Sequence, residues 1–472
     1  MSHIPPPRAT RDYLPEEAAA RRYAVDRFVE TVEAYGFEPI ETPMFEKVEL
    51  FSARSGPEIK ASMLTFHADH EEFALRPELT APICRVVAAG ALDDAPQPYR
   101  LYYTGSCFRY TRPGSGRVRE FTQAGLELLG DSSPDADAEI IATARRFLRS
   151  VGVDHFRLRV GTVGIFRALL PADMDPEDRT TVIGHLDLLA GIRERAEAVI
   201  AAGERAVIEE LKIDRAEIAA MQQRSEYKGE YAVEKAPDLT GAELAERVPL
   251  EAEAAFRDVW SKEGLAPDDV AEKLLTLSRI RGPIADVVRE AEPLVGDGPA
   301  RAGLANLEAV CERLAAYGVS DLEVTLGLGR GLTFYTGVVF EIFDPKPGSG
   351  KMYCGGGRYD GLLELFGGEA LPSVGCAFRF DTLLEAVAGG SLWRRRPATD
   401  IYFVVTNESD RKLATTVAEA LRDHGVRVGV GPKSPGSGRS ARTATVDGEA
   451  ILFEDGRTMP LSVETLVELL VG

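Results

Sequence analysis

Seven polar side chains interrupt stretches that otherwise read as strand: Glu78, Arg109, Arg119, Gln123, Glu127, Arg330 and Arg358. The densest run is REFTQAGLELLG, residues 119–130. Alternation along a strand puts Arg119, Phe121, Gln123, Gly125 and Glu127 on one face and Glu120, Thr122, Ala124 and Leu126 on the other. Burying a cation, an amide and a carboxylate in a row is costly unless each finds a partner. Taken singly, such a residue is usually half of a structural ion pair. Several on different strands of one sheet read instead as a binding wall. Their chemistry complements an amino acid: carboxylates and an amide suit an ammonium and a ring N–H, and a guanidinium grips a carboxylate as a bidentate pair.

Other chemical patterns carry less. GLGRG (327–331) lacks the spacing of a dinucleotide loop and is followed by another strand. CGGGRYDGL (354–362) asks for backbone freedom at Gly355, Gly356 and Gly357, which a bulge or tight turn would also explain. His67 and His70 have no third ligand at usable spacing, so they read as a solvated loop rather than a metal site. The cysteines at 84, 107, 311, 354 and 376 are odd in number and never form a CxxC pair, which argues against a disulfide framework or a zinc site.

Positioning these groups is a chain of 472 residues, long enough for two or three domains. The net charge of -20 repels a polyanion unless basic groups cluster locally. MSHIPPPRATRDYLP is polar and proline-rich, and no apolar run approaches a membrane span, so a soluble cytoplasmic protein with no membrane partner is expected. PEEAAARRYAVDRFVETVEAYG reads as an amphipathic helix that stops at Gly36. Pro39 and Pro43 suit an edge strand or one at a subunit boundary. FALRPELTAPICRVVAAG, the run at 98–130 and LEVTLGLGRGLTFYTGVVFEIF supply β-branched and aromatic segments for one antiparallel sheet flanked by helices.

From 171 to 316 the texture turns to Ala, Glu, Arg and Leu at helical period, a helical insertion, because strand-like sequence resumes at 321. AGGSLWRRRPATD (388–400) reads as a linker. Beyond it, DIYFVVT, a helix and VRVGVG make a βαβ unit, GPKSPGSGRSART a mobile loop, and VDGEAILFEDGRTMPL a strand between two Asp-Gly turns.

Several of these runs, in order, resemble the histidyl-tRNA synthetases and their relatives of the class II synthetase fold. RATRDYLP is similar to that family's opening, YGFEPIETP to its dimer-forming first motif and ALRPELTAP to its amino-acid loop. CFRYTRPGSGRVREFTQAGLELLG is similar to its second motif, and GRGLTFYTGVVFE and CGGGRYDGL to its two histidine signatures. The likeness covers about residues 6–170 and 318–387. It implies an α+β architecture: a class II synthetase-like antiparallel sheet flanked by helices (1–170 and 317–390), the insertion (171–316) and a small anticodon-binding-like α/β domain (398–472).

Carried over by position, the resemblance implies that Glu78, Thr80 and Gln123 hold the ammonium of histidine, Glu127 and Tyr335 read its imidazole and Arg330 faces its carboxylate. Arg109 would meet the α-phosphate of ATP, with Arg117 in the loop that follows. Two departures fall on the nucleotide side. Thr111 stands where the family has an adenine-reading glutamate, and Thr382 where it has a triphosphate-clamping arginine. A threonine cannot supply a guanidinium fork. Arg379 lies three residues earlier, where a side chain is expected to point elsewhere, and Thr333 and Phe334 replace an acid and a tyrosine.

Two readings follow from the resemblance. One is a histidine-binding regulatory subunit of ATP phosphoribosyltransferase, with no cofactor, partnering the short catalytic chain in feedback control. The other is a divergent histidine–tRNA ligase using ATP, Mg and tRNA, with Arg109 and Arg330 catalytic. Either would form a homodimer through the first-motif region. A stand-alone paralogue using the pocket otherwise is a third.

Overall fold

The computed structural model describes residues 4–52, 62–110, 118–202, 211, 218, 240–263, 268–329, 334–346, 351–389, 397–436 and 439–470. It divides into two compact units, 1–393 and 394–472.

Helix α1 (Pro15–Glu33) starts on a proline whose missing N–H costs nothing in the first turn, and it buries Ala20, Ala24, Phe28 and Val32 along one face. It leads into β1 (Glu38–Pro39), β2 (Phe45–Lys47), α2 (Val48–Ser52), β3 (Leu64–Ala68), β4 (Glu71–Leu75) and α3 (Thr80–Ala88). The long strands β5 (Tyr99–Phe108) and β6 (Glu120–Leu129) follow, then α4 (Pro134–Ser150), β7 (Arg157–Thr162) and α5 (Gly164–Leu169). Next come α6 (Pro176–Ala202), α7 (Gly241–Glu263), α8 (Asp268–Leu277), β8 (Arg281–Gly282), α9 (Ile284–Val295) and α10 (Pro299–Ala316). The first unit closes with β9 (Leu322–Thr325), β10 (Val338–Phe343), β11 (Met352–Arg358), β12 (Ser373–Arg379) and α11 (Phe380–Gly389).

Nine strands form one sheet in the order β1-β5-β6-β12-β11-β10-β7-β9-β8. Its centre is antiparallel, but β1 runs parallel to β5 and β7 parallel to β9, so the sheet is mixed rather than wholly antiparallel. Proline-bearing β1 takes an edge, where a missing ladder N–H is harmless. The core beneath the sheet is keyed by Phe28, whose ring meets Tyr102, Phe147 and Phe378 edge-on at 6.0, 5.2 and 5.7 Å. These contacts fasten α1 and α4 to β5 and β12.

Three expectations are corrected. The run FALRPELTAPICRVVAAG is not all strand: after β4, which belongs to a separate three-stranded sheet β2-β4-β3, residues Thr80–Ala88 are helical. Pro82 is tolerated because it sits in the first turn, where its N–H would have no partner in any case. The glycines 355–357 make neither turn nor bulge. They lie within β11, paired continuously on both sides, and the sheet's irregularity falls at Ile342/Phe343. Helical sequence between 171 and 316 is interrupted by β8, which joins the large sheet beside β9, because Arg281 and Gly282 pair with Thr325 and Val324.

Arg358 does not face a ligand. Its guanidinium is buried against Asp137, both carboxylate oxygens 3.1 Å from Nε, and Nη1 reaches Asp360 at 3.2 Å and the Asp131 carbonyl at 3.0 Å. The bland reading wins there: this is a structural ion pair tying β11 to α4. The five cysteines are free and buried, His67 lies exposed on β3 and His70 in the turn after it.

The second unit is a five-stranded sheet, β14 (Val428–Gly431), β13 (Ile401–Val404), β15 (Thr443–Asp447), β16 (Ala450–Phe453) and β17 (Thr458–Pro460) in that order, with α12 (Glu408–Asp423) and α13 (Val463–Leu470) packed on it. β13 is parallel to β14, as a βαβ unit requires, and Gly448 and Gly456 take positive φ in the Asp-Gly turns bounding β16. The linker residues 390–396 and loop residues 437–438 lie outside the described residues. Among the described residues no helix is long and apolar enough to cross a membrane.

Because Arg358 is buried, removing Asp137 leaves its charge facing only the half-exposed Asp360. Asp137→Ala is expected to cost about 3–5 kcal/mol of unfolding free energy in urea titrations, whereas Asp137→Leu combined with Arg358→Met recovers most of the loss.

Candidate functional site

Glu78, Thr80, Arg109, Gln123, Glu127 and Tyr335 line one cavity of about 730 Å³, a size within the roughly 300–1,000 Å³ of small-molecule sites. Strand β6 supplies Phe121, Gln123 and Glu127 from one face, as alternation requires. Arg119 is not with them. The strand starts at Glu120, and the Arg119 guanidinium lies 4.8 Å from the ring centroid of Tyr110 instead. Arg330, Thr333, Thr111 and Arg117 lie outside the described residues.

Glu127 is the most constrained group. It is 1% exposed, and its carboxylate accepts bonds from Thr80 Oγ1 at 2.8 Å, from the Tyr103 hydroxyl at 3.1 Å and from the Tyr359 hydroxyl. Gly375 opposite it on β12 must be glycine, since a Cβ there would lie 1.6 Å from Glu127 Oε2. Burial pushes its pKa from 4.5 to about 7 against the pull of the three hydroxyls, with Glu78 adding to the rise. A group so placed is one proton from neutrality near physiological pH, and an N–H cation arriving in the cavity would hold it ionised.

Glu78 precedes α3 and caps it, taking Thr80 N–H at 2.6 Å and Ala81 N–H at 3.1 Å. Burial raises its pKa, while Ala81 N–H and Arg109 oppose the rise. Gln123 Oε1 accepts from Leu79 N–H at 3.0 Å and from the Cys107 thiol at 3.2 Å. With its oxygen spent inside the protein, what Gln123 has left for a ligand is an N–H₂ donor. That suits a carboxylate, not the ammonium expected from the resemblance; the acceptors on this side are Glu78 and Thr80.

On the neighbouring wall, Arg109 donates from Nε to the Pro77 carbonyl at 2.9 Å, which sets its guanidinium carbon 5.4 Å from the Phe121 centroid. Arg379 also lines this cavity, correcting the expectation that it points elsewhere. As the register partner of Gln123 on adjacent strands it must share that face. Thr382 is half-buried on α11 and is not part of the lining. Its neighbour Asp381 is tied to the Tyr13 hydroxyl and, at 3.2 Å, to Thr122 N–H.

Sequence reasoning missed one whole wall. Asp187, Leu188, Gly191, Glu194 and Arg195 of α6 face the cavity, and β7 is joined to that helix by Arg159, which grips Glu194 at 2.6 and 2.8 Å. Helical texture gave no sign of it, since a helix carries no signal of which remote strand it meets. Among the described residues no group of three or more His, Cys, Asp or Glu side chains could hold a metal ion.

A mixed sheet with a polar pocket on its central strands defines a class II synthetase-like protein. The model of the histidyl-tRNA synthetase family matches residues 9–247 and 240–383, and the chain belongs to that family. It is 33% identical over 422 residues to a histidine–tRNA ligase of Archaeoglobus fulgidus, spanning 89% of this chain and 83% of the relative. It is 31% identical over 435 residues to the ligase of Thermococcus kodakarensis, spanning 91% and 86%. Among solved structures, the histidyl-tRNA synthetase of Nostoc superposes with a TM-score of 0.66 at 20% identity, covering 99% of both chains. An ATP phosphoribosyltransferase regulatory subunit/histidyl-tRNA synthetase of Bacillus halodurans gives 0.63 at 24%, covering 91% of this chain and 93% of that one.

The raised pKa of Glu127 has a definite sign. The folded protein holds this proton more tightly than the unfolded chain, so its contribution is full below about pH 4.5 and is lost as pH rises toward 7. Unfolding free energy of the ligand-free protein is expected to fall by on the order of 2–3 kcal/mol between pH 5 and 8 from this group, and Glu127→Gln to lack that component. Identical slopes in the two proteins would refute the assignment.

Proposed function

We propose that the cavity binds free histidine and that the chain serves as a regulatory subunit of ATP phosphoribosyltransferase, without efficient activation of the amino acid. Glu127, backed by Thr80 and Tyr359, takes the ring N–H; Tyr335 closes beside it; Glu78 and Thr80 accept from the ammonium; Gln123 N–H₂ and Arg330 meet the carboxylate. The observation that carries the reading is the asymmetry of the site. Glu78, Thr80, Gln123, Glu127 and Tyr335 come together on one cavity, while the position of the triphosphate clamp is held by Thr382, off the cavity wall. Losing charge-assisted grips on a phosphate costs a few kcal/mol each, enough to slow adenylation by about 10²–10³ or more.

Histidine would then act as an effector, binding one packing arrangement of a complex with the short catalytic chain more tightly than another. A homodimer through the first-motif region is part of the proposal. Phe45 and Phe66, 49% and 37% exposed, pack with Phe73 into an aromatic patch on the sheet β2-β4-β3 that a second copy would cover.

A second reading, a divergent histidine–tRNA ligase, is favoured by Arg379, which lines the same cavity as Phe121 and Arg109 and offers a guanidinium where Thr382 does not. It is also favoured by relatives named as ligases that match about nine-tenths of the chain. ATP and Mg would be its co-substrate and ion, and tRNA its partner.

Calorimetry is expected to show histidine binding without ATP, and histidine-dependent exchange of pyrophosphate into ATP to stay at background. Exchange at a ligase's rate that Arg379→Ala abolishes would establish the second reading. Co-purification of a phosphoribosyltransferase chain, released or tightened by histidine, would establish the first.

A further inference from the structure

The histidine-signature segment has a support that lies 142 residues away in sequence. Asp187, in the middle of α6, accepts the Gly329 N–H at 2.8 Å. The contact is close by construction: a Cβ on Gly329 would lie 2.8 Å from Asp187 Cβ, so only glycine lets the loop settle onto the helix. Just before it, Gly327 is pressed between the Ser278 carbonyl and Ala190, so two successive points of the loop after β9 rest on the helical segment. Five residues after Gly329 the chain reaches Phe334 and then Tyr335, which line the cavity, with Phe334 edge-on to Tyr359 at 6.0 Å. Tyr359 is itself bonded to Glu127.

We propose that Asp187 is a positioning residue for the amino-acid pocket: by fixing Gly329 it sets the entry of the segment that carries Tyr335, and it makes α6 part of the ligand-sensing wall. The anchor at Gly329 and the cavity-lining Phe334 and Tyr335 belong to one short stretch of chain, so releasing the anchor is expected to loosen the lining. The same bond links occupancy to the helical region, because a ligand that orders the Tyr335 side also favours the docked state of α6, and docking favours the ligand reciprocally. This rests on the histidine reading for the identity of the ligand but not for the loop–helix link.

Asp187→Ala and Asp187→Asn separate the possibilities, because asparagine keeps an Oδ1 acceptor for the Gly329 N–H. In the ligand-free protein, hydrogen exchange of peptides covering 326–335 is expected to rise at least fivefold in Asp187→Ala, to return near wild type in Asp187→Asn, and to be unchanged over 120–129. Histidine titrations are expected to show Kd raised about 10-fold in the alanine variant and under 3-fold in the asparagine variant, with urea midpoints alike. Histidine is also expected to slow exchange over 184–196 in the wild type and not in Asp187→Ala. Unaltered loop exchange in Asp187→Ala overturns the proposal, and so does an unaltered Kd where the wild type binds. If the wild type binds no histidine, the reading of the ligand fails, while loop exchange still decides for or against Asp187.

Discussion

Everything in the pocket is arranged around one buried carboxylate. Glu127 sits on a central strand with glycine opposite it and hydroxyls from three separate elements, α3, β5 and the turn after β11, converging on its two oxygens. Desolvating a carboxylate is expensive, and neutral hydroxyls offset that only in part, which is why its pKa climbs. The residual cost is what a ligand bearing an N–H cation removes on arrival. On the histidine reading, binding strength and selectivity for a ring N–H donor would come from the same feature, an acceptor prepared in advance and left incompletely satisfied. A ligand without such a donor would leave it buried and unmatched.

Much of this was legible in the chain because strand alternation is a local rule. Phe121, Gln123 and Glu127 fall on one face in sequence and in structure. What failed were facts that depend on where an element begins or on partners far away. Arg119 left the wall because the strand begins one residue later. Arg358 looked like a ligand contact because its partner, Asp137, lies 221 residues away. Thr80–Ala88 looked like strand because of its β-branched residues, although it is helical and holds Pro82 in its first turn without cost. Gln123 lines the cavity, as alternation requires, but the acceptor it offers is already engaged by Leu79 N–H, a commitment that only geometry reveals.

Charge sets a further boundary. The chain carries -20 overall, and the basic groups lining the cavity are interleaved with acids: Arg159 is engaged by Glu194 and Glu323, and Arg281 by Glu197 at 2.7 Å. Paired arginines cost a polyanion the energy of breaking those pairs before it gains their attraction, which supports the proposed reading of the cavity as a site for a small zwitterion. A zwitterion of one ammonium, one carboxylate and one imidazole needs no net field, only donors and acceptors in the right order.

The two halves of the site can also diverge independently, because they are built on different supports. On the proposed reading, amino-acid recognition depends on β6, α3 and the residues around Tyr359, whereas the nucleotide clamp of the family would hang from the first turn of α11. The structural duty in that turn falls on Asp381, bonded to Tyr13 and to Thr122 N–H, so the position after it can lose an arginine without moving the sheet. On the proposed reading, Thr382 at the clamp's position removes a contact and leaves the pocket's geometry standing. A fold that can drop one ligand's grip at no cost to the other's is well suited to pass from catalysis to sensing, since the ligand that remains still biases packing through the same strands and helices.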